Sequence, residues 1–388
     1  MIKKPEFIVL GSTGRNTGKT EFATRLINRL SKQTKVYGLK VTSIDRDEGF
    51  CPRGPESCGV CASLTTDFEI IDESLTNTGK DTARMLNAGA QKVYWLKVDK
   101  NYLEKGIKAL IEMLPDDAMI VSESNSLRKV LEPGLFIVIK NKKDRTIKES
   151  CLQVIGFADK IIEFDNMSWD FSPDRIIIKN NTWRIKENAT AIVLAGGKSS
   201  RMGGEDKSML PVNGEPMIQK IVNQLHDSFD EVIIGANDPY KYRFLNCRVI
   251  PDLEKEKGPL MGILSCLQAS ASELNFITAC DIPVMNIKLI QNMINLSGDS
   301  DIVMPVKDHD KHEPLYAIYK KSVIPEIEKI LKNDGRRIIE LLDKAKVKFV
   351  DFEAETWYEN LNKKEDYFGF IKKVEYRNCQ RNELKDRS

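Results

Sequence analysis

The chain has 388 residues, and this length predicts two to three domains, of which we take two as the working number. With 41% hydrophobic and 30% charged residues and a formal net charge of +2, the composition is that of a globular protein and argues against a nucleic acid partner. No apolar run approaches the roughly twenty residues of a membrane span, and the first residues show no signal-peptide cleavage pattern, so we expect a cytoplasmic protein with no membrane partner.

Short apolar runs rich in Ile, Val and Phe alternate with helical patterns, which predicts an α/β protein with largely parallel sheets. Two of these runs, 6–10 (FIVLG) and 191–195 (AIVLA), each lead into a glycine-containing loop and then an amphipathic helix. Each is the expected first strand of a domain. We therefore predict two three-layer α/β/α domains, at 1–188 and 189–372, followed by a polar tail at 373–388 that we expect to be disordered.

The segment GSTGRNTGKTEF (11–22) follows the first predicted strand and precedes a helix with one apolar face. This is the context of a phosphate-binding P-loop, in which backbone N–H groups, a lysine and a hydroxyl bind phosphate and Mg²⁺. Strict spacing requires glycine where this chain has Thr13, a change that a negative φ would allow. The alternative is a helix N-terminus with a chance Gly-Lys-Thr. The predicted nucleotide-binding residues are Gly14, Asn16, Thr17, Gly18, Lys19 and Thr20, with Thr20 as the Mg²⁺ ligand.

Three features of this half resemble the MobB-type GTP-binding adapter of molybdopterin-guanine dinucleotide biosynthesis. They are the P-loop, the segment GKDTARMLNAGAQKV (79–93), and a later strand that ends at Glu123 (MIVSESNS). The resemblance implies a P-loop NTPase-like domain that binds GTP and helps the second half. Glu123 would then assist Mg²⁺ or water, and Asp81 would face the phosphates. Both acids could equally be surface residues.

Three cysteines in CPRGPESCGVC (51–61) depart from the ordinary pattern of that adapter. Cys58 and Cys61 have the spacing that lets two thiolates bind one ion, and Cys51 is near enough to join them. A zinc (Zn) or iron-sulfur (Fe-S) site would need a fourth ligand that the sequence does not identify. Three reduced loop cysteines are an equally good interpretation, and contact with a sulfur-rich cofactor or its metal is a third.

A second glycine loop follows the predicted strand at 191–194 and reads LAGGKSSRMGGEDKSMLPVNGEP. Gly196 and Gly197 have no side chains, so their backbone N–H groups can approach the phosphates and base of a nucleotide. Arg201 and Lys207 add the positive charge that a reaction expelling pyrophosphate requires. The loop therefore predicts a triphosphate site, and the alternative is ordinary loop glycines beside a solvated pair of charges.

This run resembles the start of the MobA-type molybdenum cofactor guanylyltransferase family, and three later segments continue the resemblance in order. They are PDLEKEKGPLMGIL (251–264), with Met261 in place of the usual alanine, TACDIPVMN (278–286), and ENLNKKEDY (359–367), with two lysines in place of Thr-Pro. The resemblance implies a Rossmann-like, GT-A-like nucleotidyltransferase domain. The chain then reads as a fusion of a MobB-type adapter with a MobA-type transferase, which raises the effective concentration of two cooperating modules.

The resemblance also implies roles for single residues. Asp281 would bind the Mg²⁺ that bridges the phosphates. Arg201 and Lys207 would stabilise the charge that develops as a phosphate oxygen of molybdopterin attacks the α-phosphorus of GTP. Asn360 and Asn362 would complete the reaction centre. The GTP contacts would be Leu194, Ala195, Gly196, Gly197, Lys207, Asn237, Asp252, Gly262 and Asp281.

The predicted activity is transfer of GMP from GTP to molybdopterin, or to its molybdenum-loaded form, with release of pyrophosphate. Cytidylyltransferases for the same cofactor typically have Leu-Ala-Ala-Gly at this loop, whereas the methyl-free Gly196 leaves room for the larger purine, so we favour guanine. For Asn237 and Asp252 a loop-capping role is equally consistent. A non-catalytic carrier of GTP and cofactor is the alternative from another functional class. Cofactor-insertion proteins and molybdoenzymes are the further partners that we expect.

Overall fold

The computed structural model divides the chain into two compact units, Met1–Ile185 and Lys186–Ser388. The first strand of the second unit begins at Glu187, whose backbone N–H donates to the Ser228 carbonyl, so residue 188, where we expected the boundary, already lies inside that strand. The structure describes residues 1–45, 64–74, 78–144, 146–196, 206–307, 311–352 and 358–385, and their side chains except those of 307 and 377–385.

The first unit contains a sheet of seven strands. These strands are β1 (Ile2–Ser12), β2 (Val36–Ile44), β3 (Phe68–Asp72), β4 (Val93–Asp99), β5 (Met119–Glu123), β6 (Leu131–Asn141) and β7 (Lys160–Phe164). The order is β3-β4-β2-β5-β1-β6-β7, and among the described pairs β3 alone runs antiparallel to its neighbour. The other elements are α1 (Lys19–Leu30), α2 (Asp81–Asn87), α3 (Leu103–Met113), α4 (Glu149–Leu152) and a hairpin of β8 (Ile176–Lys179) and β9 (Thr182–Ile185).

Strand β1 shows why this sequence forms the centre of a sheet. Residues 7–10 are all buried, and successive side chains of a strand point to opposite faces. Ile8 and Leu10 pack in one core cluster with α1, and Phe7 and Val9 pack in another with α3. Helices therefore cover both faces, as a continuous apolar run predicts, and the α/β class is confirmed for this unit.

The second unit contains a sheet of eight strands. These strands are β10 (Glu187–Leu194), β13 (Phe229–Gly235), β14 (Arg248–Ile250), β15 (Leu274–Ala279), β16 (Ile302–Lys307), β17 (Lys311–His312), β18 (Tyr316–Lys320) and β19 (Val347–Asp351). The order is β14-β13-β10-β15-β18-β16-β17, and β19 pairs with β16. The other elements are a hairpin of β11 (Pro211–Val212) and β12 (Glu215–Pro216), with α5 (Met217–His226), α6 (Pro259–Ala269), α7 (Ile287–Asn295), α8 (Ile324–Lys332), α9 (Ile338–Leu342) and α10 (Lys364–Lys385).

The prediction of largely parallel sheets is correct for four neighbouring strands of this unit and wrong for β17 and β18. Strands β14, β13, β10 and β15 are parallel, whereas β18 runs antiparallel to both β15 and β16. The reason is the short connection from β16 to β18. A parallel crossover needs a dozen or more residues, so the returning strand can only run antiparallel.

The register of the parallel strands positions the loops of this unit. Leu194, the last residue of β10, lies opposite Gly235 of β13 and Ala279 of β15. The three strands therefore end at the same level, and the loops that follow them meet at one edge of the sheet. In an open α/β sheet this edge is where ligands bind.

The last helix corrects our expectation of a disordered tail at 373–388. Instead of ending near residue 373, α10 continues to Lys385. Its first turns are anchored by the buried Tyr367 and Phe370, and no glycine or proline interrupts the residues from 370 to 385. In the part of the chain that the structure describes, no helix combines the length and apolar character needed to cross a membrane.

Candidate functional site

A cavity of about 690 Å³ opens at the carboxyl ends of the parallel strands in the second unit. Eight of the nine predicted nucleotide contacts line it, and the ninth, Gly197, lies outside the described residues together with Arg201. The structure thus brings together residues that are almost ninety positions apart in the chain. The eight are Leu194, Ala195, Gly196, Lys207, Asn237, Asp252, Gly262 and Asp281.

Lys207 lies at the centre of the polar groups of this cavity. Its ammonium is 3.1 Å from Oδ2 of Asp281 and 3.4 Å from Oδ1 of Asn362. Asp206 caps the short 3₁₀ turn that starts at Lys207, since its side chain accepts from the Ser208 backbone N–H at 2.9 Å. The ammonium is therefore held between a carboxylate and an amide, at a place where phosphate oxygens can reach it.

Asp281 keeps one carboxylate oxygen available. Its Oδ1 is buried and has no hydrogen-bond partner among the described residues, and the same is true of Oδ1 of Asn360. The Leu361 backbone N–H donates to the Asp281 carbonyl at 2.9 Å, which holds the asparagine segment against the aspartate. A buried carboxylate oxygen without a partner fits Mg²⁺, which binds through one or two carboxylates together with phosphate oxygens and water.

The described residues contain no group of three or more His, Cys, Asp or Glu side chains arranged to hold a metal ion by themselves. Any ion at Asp281 would therefore take most of its ligands from phosphates and water, as Mg²⁺ does in nucleotide sites. Cys51, Cys58 and Cys61 lie outside the described residues.

Asn237 and Asp252, which both line the cavity, are hydrogen-bonded to each other. The Asn237 amide donates to Oδ2 of Asp252 at 2.9 Å, and the Asp252 backbone N–H donates to Oδ1 of Asn237 at 2.9 Å. These bonds join residues 15 positions apart, so they differ from the local turn caps that we left open, and they hold Asp252 beside Gly262. A Cβ atom at Gly262 would lie 3.3 Å from Oδ1 of Asp252, so a side chain there would crowd this wall.

The predicted P-loop of the first unit joins β1 to α1. Gly18, with φ 70°, precedes Lys19, the first residue of α1, and Asn16 also has a positive φ of 53°. Thr13 is not among the residues with positive φ, so it meets the condition under which a threonine fits this position. Gly14 and Thr17 complete the loop, and Thr17 is buried.

The acidic residues of the first unit lie beside this loop. Lys19 Nζ is 3.9 Å from Oε2 of Glu123, and the Thr20 hydroxyl donates to Oδ1 of Asp81 at 3.1 Å. Glu123 is 1% exposed, so the interpretation of it as a surface acid is wrong. Burial lowers the pKa of Lys19, and the nearby Glu123 carboxylate only partly offsets this effect.

Lys40 is a charged residue of this cluster that the sequence analysis missed. Its ammonium lies 2.7 Å from Oδ2 of Asp81 and 2.8 Å from Oε2 of Glu123. Burial alone would lower the pKa of Lys40, but the two carboxylates outweigh it and raise that pKa above its ordinary value. The available signal was a single lysine inside the apolar strand β2 (VYGLKVTSI), a position where an unpaired charge would be costly.

Comparisons with known proteins place the second unit among nucleotidyltransferases. A family model described as a MobA-like NTP transferase domain matches residues 191–347. A probable molybdenum cofactor guanylyltransferase from Clostridium perfringens is 34% identical over 196 residues, covering 48% of this chain and 98% of that protein. Another from Carboxydothermus hydrogenoformans is 35% identical over 193 residues, covering 48% of this chain and 96% of that protein.

A solved structure is also similar to part of the chain. It is the molybdopterin-guanine dinucleotide biosynthesis protein A from Archaeoglobus fulgidus, which is 22% identical. The match covers 49% of this chain and 99% of that protein, with a TM-score of 0.42.

Proposed function

The chain belongs to the molybdenum cofactor guanylyltransferase family, and we propose that its second unit transfers GMP from GTP to molybdopterin or to molybdenum-loaded molybdopterin. A phosphate oxygen of the pterin forms a bond to the α-phosphorus of GTP, and the bond from that phosphorus to the oxygen of the β-phosphate breaks. Pyrophosphate leaves, and no covalent bond to the enzyme is needed. The observation that carries this proposal is the cavity in which Lys207 meets Asp281.

Each polar group of the cavity then has a task in that reaction. Lys207 would stabilise the charge that develops on the phosphates, and Asn362 helps to orient its ammonium. Asp281 would hold Mg²⁺ through its unpartnered Oδ1, and the ion would supply neutralising charge to the phosphates. Asn360 precedes Leu361, which hydrogen-bonds the Asp281 backbone, and its unpartnered Oδ1 could accept a hydrogen bond from a donor group of the pterin substrate.

One reaction tests this proposal. The full chain is incubated with Mg²⁺, molybdopterin or its molybdenum-loaded form, and either GTP or CTP, and the pterin dinucleotide is separated and identified by mass. We expect the guanine dinucleotide and pyrophosphate in equal amounts. A product with CTP alone would assign the cytidylyl class, and no product with either nucleotide would leave a non-catalytic carrier.

We propose that the first unit binds a second GTP at the loop 14–20. Support comes from the glycine-rich turn into α1, from the contact of Lys19 with Glu123 and from that of Thr20 with Asp81. Thr20 would be the Mg²⁺ ligand, since its hydroxyl lies beside the Asp81 carboxylate. The unit would then be a GTP-binding helper for nucleotide supply or cofactor delivery, a role that fusion to a transferase favours.

Equilibrium binding to the full chain tests this second site. We expect two GTP molecules per chain for the natural protein and one for Lys19→Ala, because the P-loop lysine contacts the phosphates directly. Two molecules bound to Lys19→Ala would remove the P-loop proposal and leave the transferase proposal intact.

The remaining expectations from the sequence stay proposals. We propose a cytoplasmic location and exchange of the product with cofactor-insertion proteins and molybdoenzymes.

For Cys51, Cys58 and Cys61, metal analysis of anaerobically purified natural protein, compared with the Cys58→Ser variant, distinguishes a Zn or Fe-S site from reduced thiols. Metal bound to the natural protein and lost in the variant supports the site, and no metal in either supports the thiols.

A further inference from the structure

The two ends of the loop that carries Lys207 are tied to one buried side chain. Tyr242 is 1% exposed, and its hydroxyl lies 3.1 Å from Oγ of Ser208 and 3.3 Å from the carbonyl oxygen of Ala195. Ala195 begins the loop and Ser208 follows Lys207 at its end. A single hydroxyl thus joins the strand end to the turn that holds the lysine.

The direction of these hydrogen bonds follows from which groups can donate. Asp206 Oδ1 accepts from both the backbone N–H of Ser208, at 2.9 Å, and its hydroxyl, at 2.7 Å. With the Ser208 hydroxyl proton directed to Asp206, Tyr242 shares its single proton between Oγ of Ser208 and the carbonyl oxygen of Ala195. Burial raises the pKa of Tyr242, so its proton is retained at neutral pH.

Lys241, the residue before Tyr242, holds the other oxygen of the same carboxylate. Its ammonium forms an ion pair with Oδ2 of Asp206. The consecutive residues Lys241 and Tyr242 therefore bind Asp206 and Ser208, the two neighbours of Lys207 in the chain. The Lys207 ammonium contacts different groups, so the lysine backbone is held from outside the reaction centre.

We propose that Lys241 and Tyr242 are positioning residues for guanylyl transfer, which fix the backbone of Lys207 and the start of the phosphate loop at Ala195. This inference rests on the proposed function of the second unit. Neither residue needs to touch GTP or the pterin. They act by keeping the lysine where charge develops in the transition state, a geometry in which small displacements are costly.

The variant Tyr242→Phe removes one hydroxyl and keeps the ring. Its matched control is Tyr319→Phe, since Tyr319 is 0% exposed and donates one hydrogen bond, at 2.9 Å, to the Pro314 carbonyl. We expect similar falls in unfolding temperature for both variants. Only Tyr242→Phe should also lower kcat, by about tenfold to a hundredfold, with KM for GTP changed by less than about threefold.

Lys241 gives an independent test with a conservative rescue. Lys241→Met should lower kcat in the same way, and Lys241→Arg, which keeps the charge opposite Asp206, should restore most of it. If Tyr242→Phe and Tyr319→Phe had the same kcat, the positioning role would be overturned. The same conclusion would follow if Lys241→Met and Lys241→Arg lowered kcat equally. Either result would leave the proposed function intact. A natural protein that makes no dinucleotide in this assay would overturn the proposed function, and this inference with it.

Discussion

The ammonium nitrogen of Lys207 lies 3.1 Å from Oδ2 of Asp281, although the two residues are 74 positions apart in the chain. Asp281 follows β15, and Lys207 follows the loop after the adjacent strand β10. Each side chain of the pair is only 16% exposed, so solvent screens it less than a surface pair. The cation suited to phosphate and the carboxylate suited to Mg²⁺ are therefore brought to one point.

Lys207→Ala tests the charge at this point. We expect kcat for dinucleotide formation to fall by about a hundredfold to a thousandfold, the usual cost of losing one preorganised donor to a developing anion. Lys329→Ala is the matched control, because Lys329 pairs with Glu326 on an exposed face of α8 and its loss should leave kcat unchanged. Equal rates for the two variants would contradict a role for Lys207.

Asp281→Asn tests the metal ligand. The neutral amide has the shape of the carboxylate but binds Mg²⁺ weakly, so we expect lower activity and a Mg²⁺ titration curve shifted to higher concentration. Asp299→Asn, at an exposed position, serves as the control. The prediction fails if the Mg²⁺ titration of Asp281→Asn overlays that of the natural protein.

Gly196→Ala tests the preference for a purine. The added Cβ would lie 3.9 Å from the Gly235 carbonyl oxygen, an ordinary contact, so the fold should tolerate it. The methyl group would take space beside the base, and we expect kcat/KM for GTP to fall relative to CTP by about tenfold or more. Gly369→Ala, where a Cβ meets nothing within 4 Å, provides the comparison. An unchanged ratio of GTP to CTP would show that base selection lies elsewhere.

Lys40→Met tests the charge cluster of the first unit. Glu123 is fully buried and would lose its nearest cation, keeping only Lys19 at 3.9 Å, so we expect a loss of about 2 kcal/mol in the free energy of unfolding, less than the cost of leaving a buried charge wholly unpaired. Lys35→Met removes a pair with Asp117 in which both side chains are more than half exposed, and it should have little effect. Denaturant unfolding of the full chain, followed at the transition of the first unit, measures both. Equal effects of the two variants would refute the prediction.

The same cluster predicts how this stability depends on pH. Burial alone would raise the pKa of Asp81, but Lys40 and the Thr20 hydroxyl outweigh it and lower that pKa. A lowered carboxyl pKa contributes stability above the ordinary value of about 3.9 and loses it as the pH falls through the folded-state value. Because the pKa of Lys40 is raised, its pairing contributes stability that is complete below about pH 10.4 and is lost as the pH rises through the folded-state value. The difference in free energy of unfolding between the natural protein and Lys40→Met should therefore be constant near neutral pH and become smaller in acid.

Local sequence patterns were sufficient to find the two glycine loops, and the family resemblance supplied half of the residues that line the cavity. A loop after a buried strand is encoded by neighbouring residues, so Gly196, Lys207 and Asp281 could be placed at strand ends before their distances were known. The α/β class followed from the same continuous apolar runs. The direction of β18 and the length of α10 were not predicted, because they depend on connection length and on the packing of Tyr367 and Phe370.

The sequence by itself therefore determined which residues stand at the ends of the strands. Only the tertiary structure decided which of them meet, because contacts across a sheet depend on strand order and register. Lys40 joins Glu123 because β2 lies beside β5, and Tyr242 reaches Ala195 and Ser208 because β13, which precedes it, lies beside β10. Lysines and tyrosines occur throughout such chains, and burial beside particular partners is what distinguishes these two.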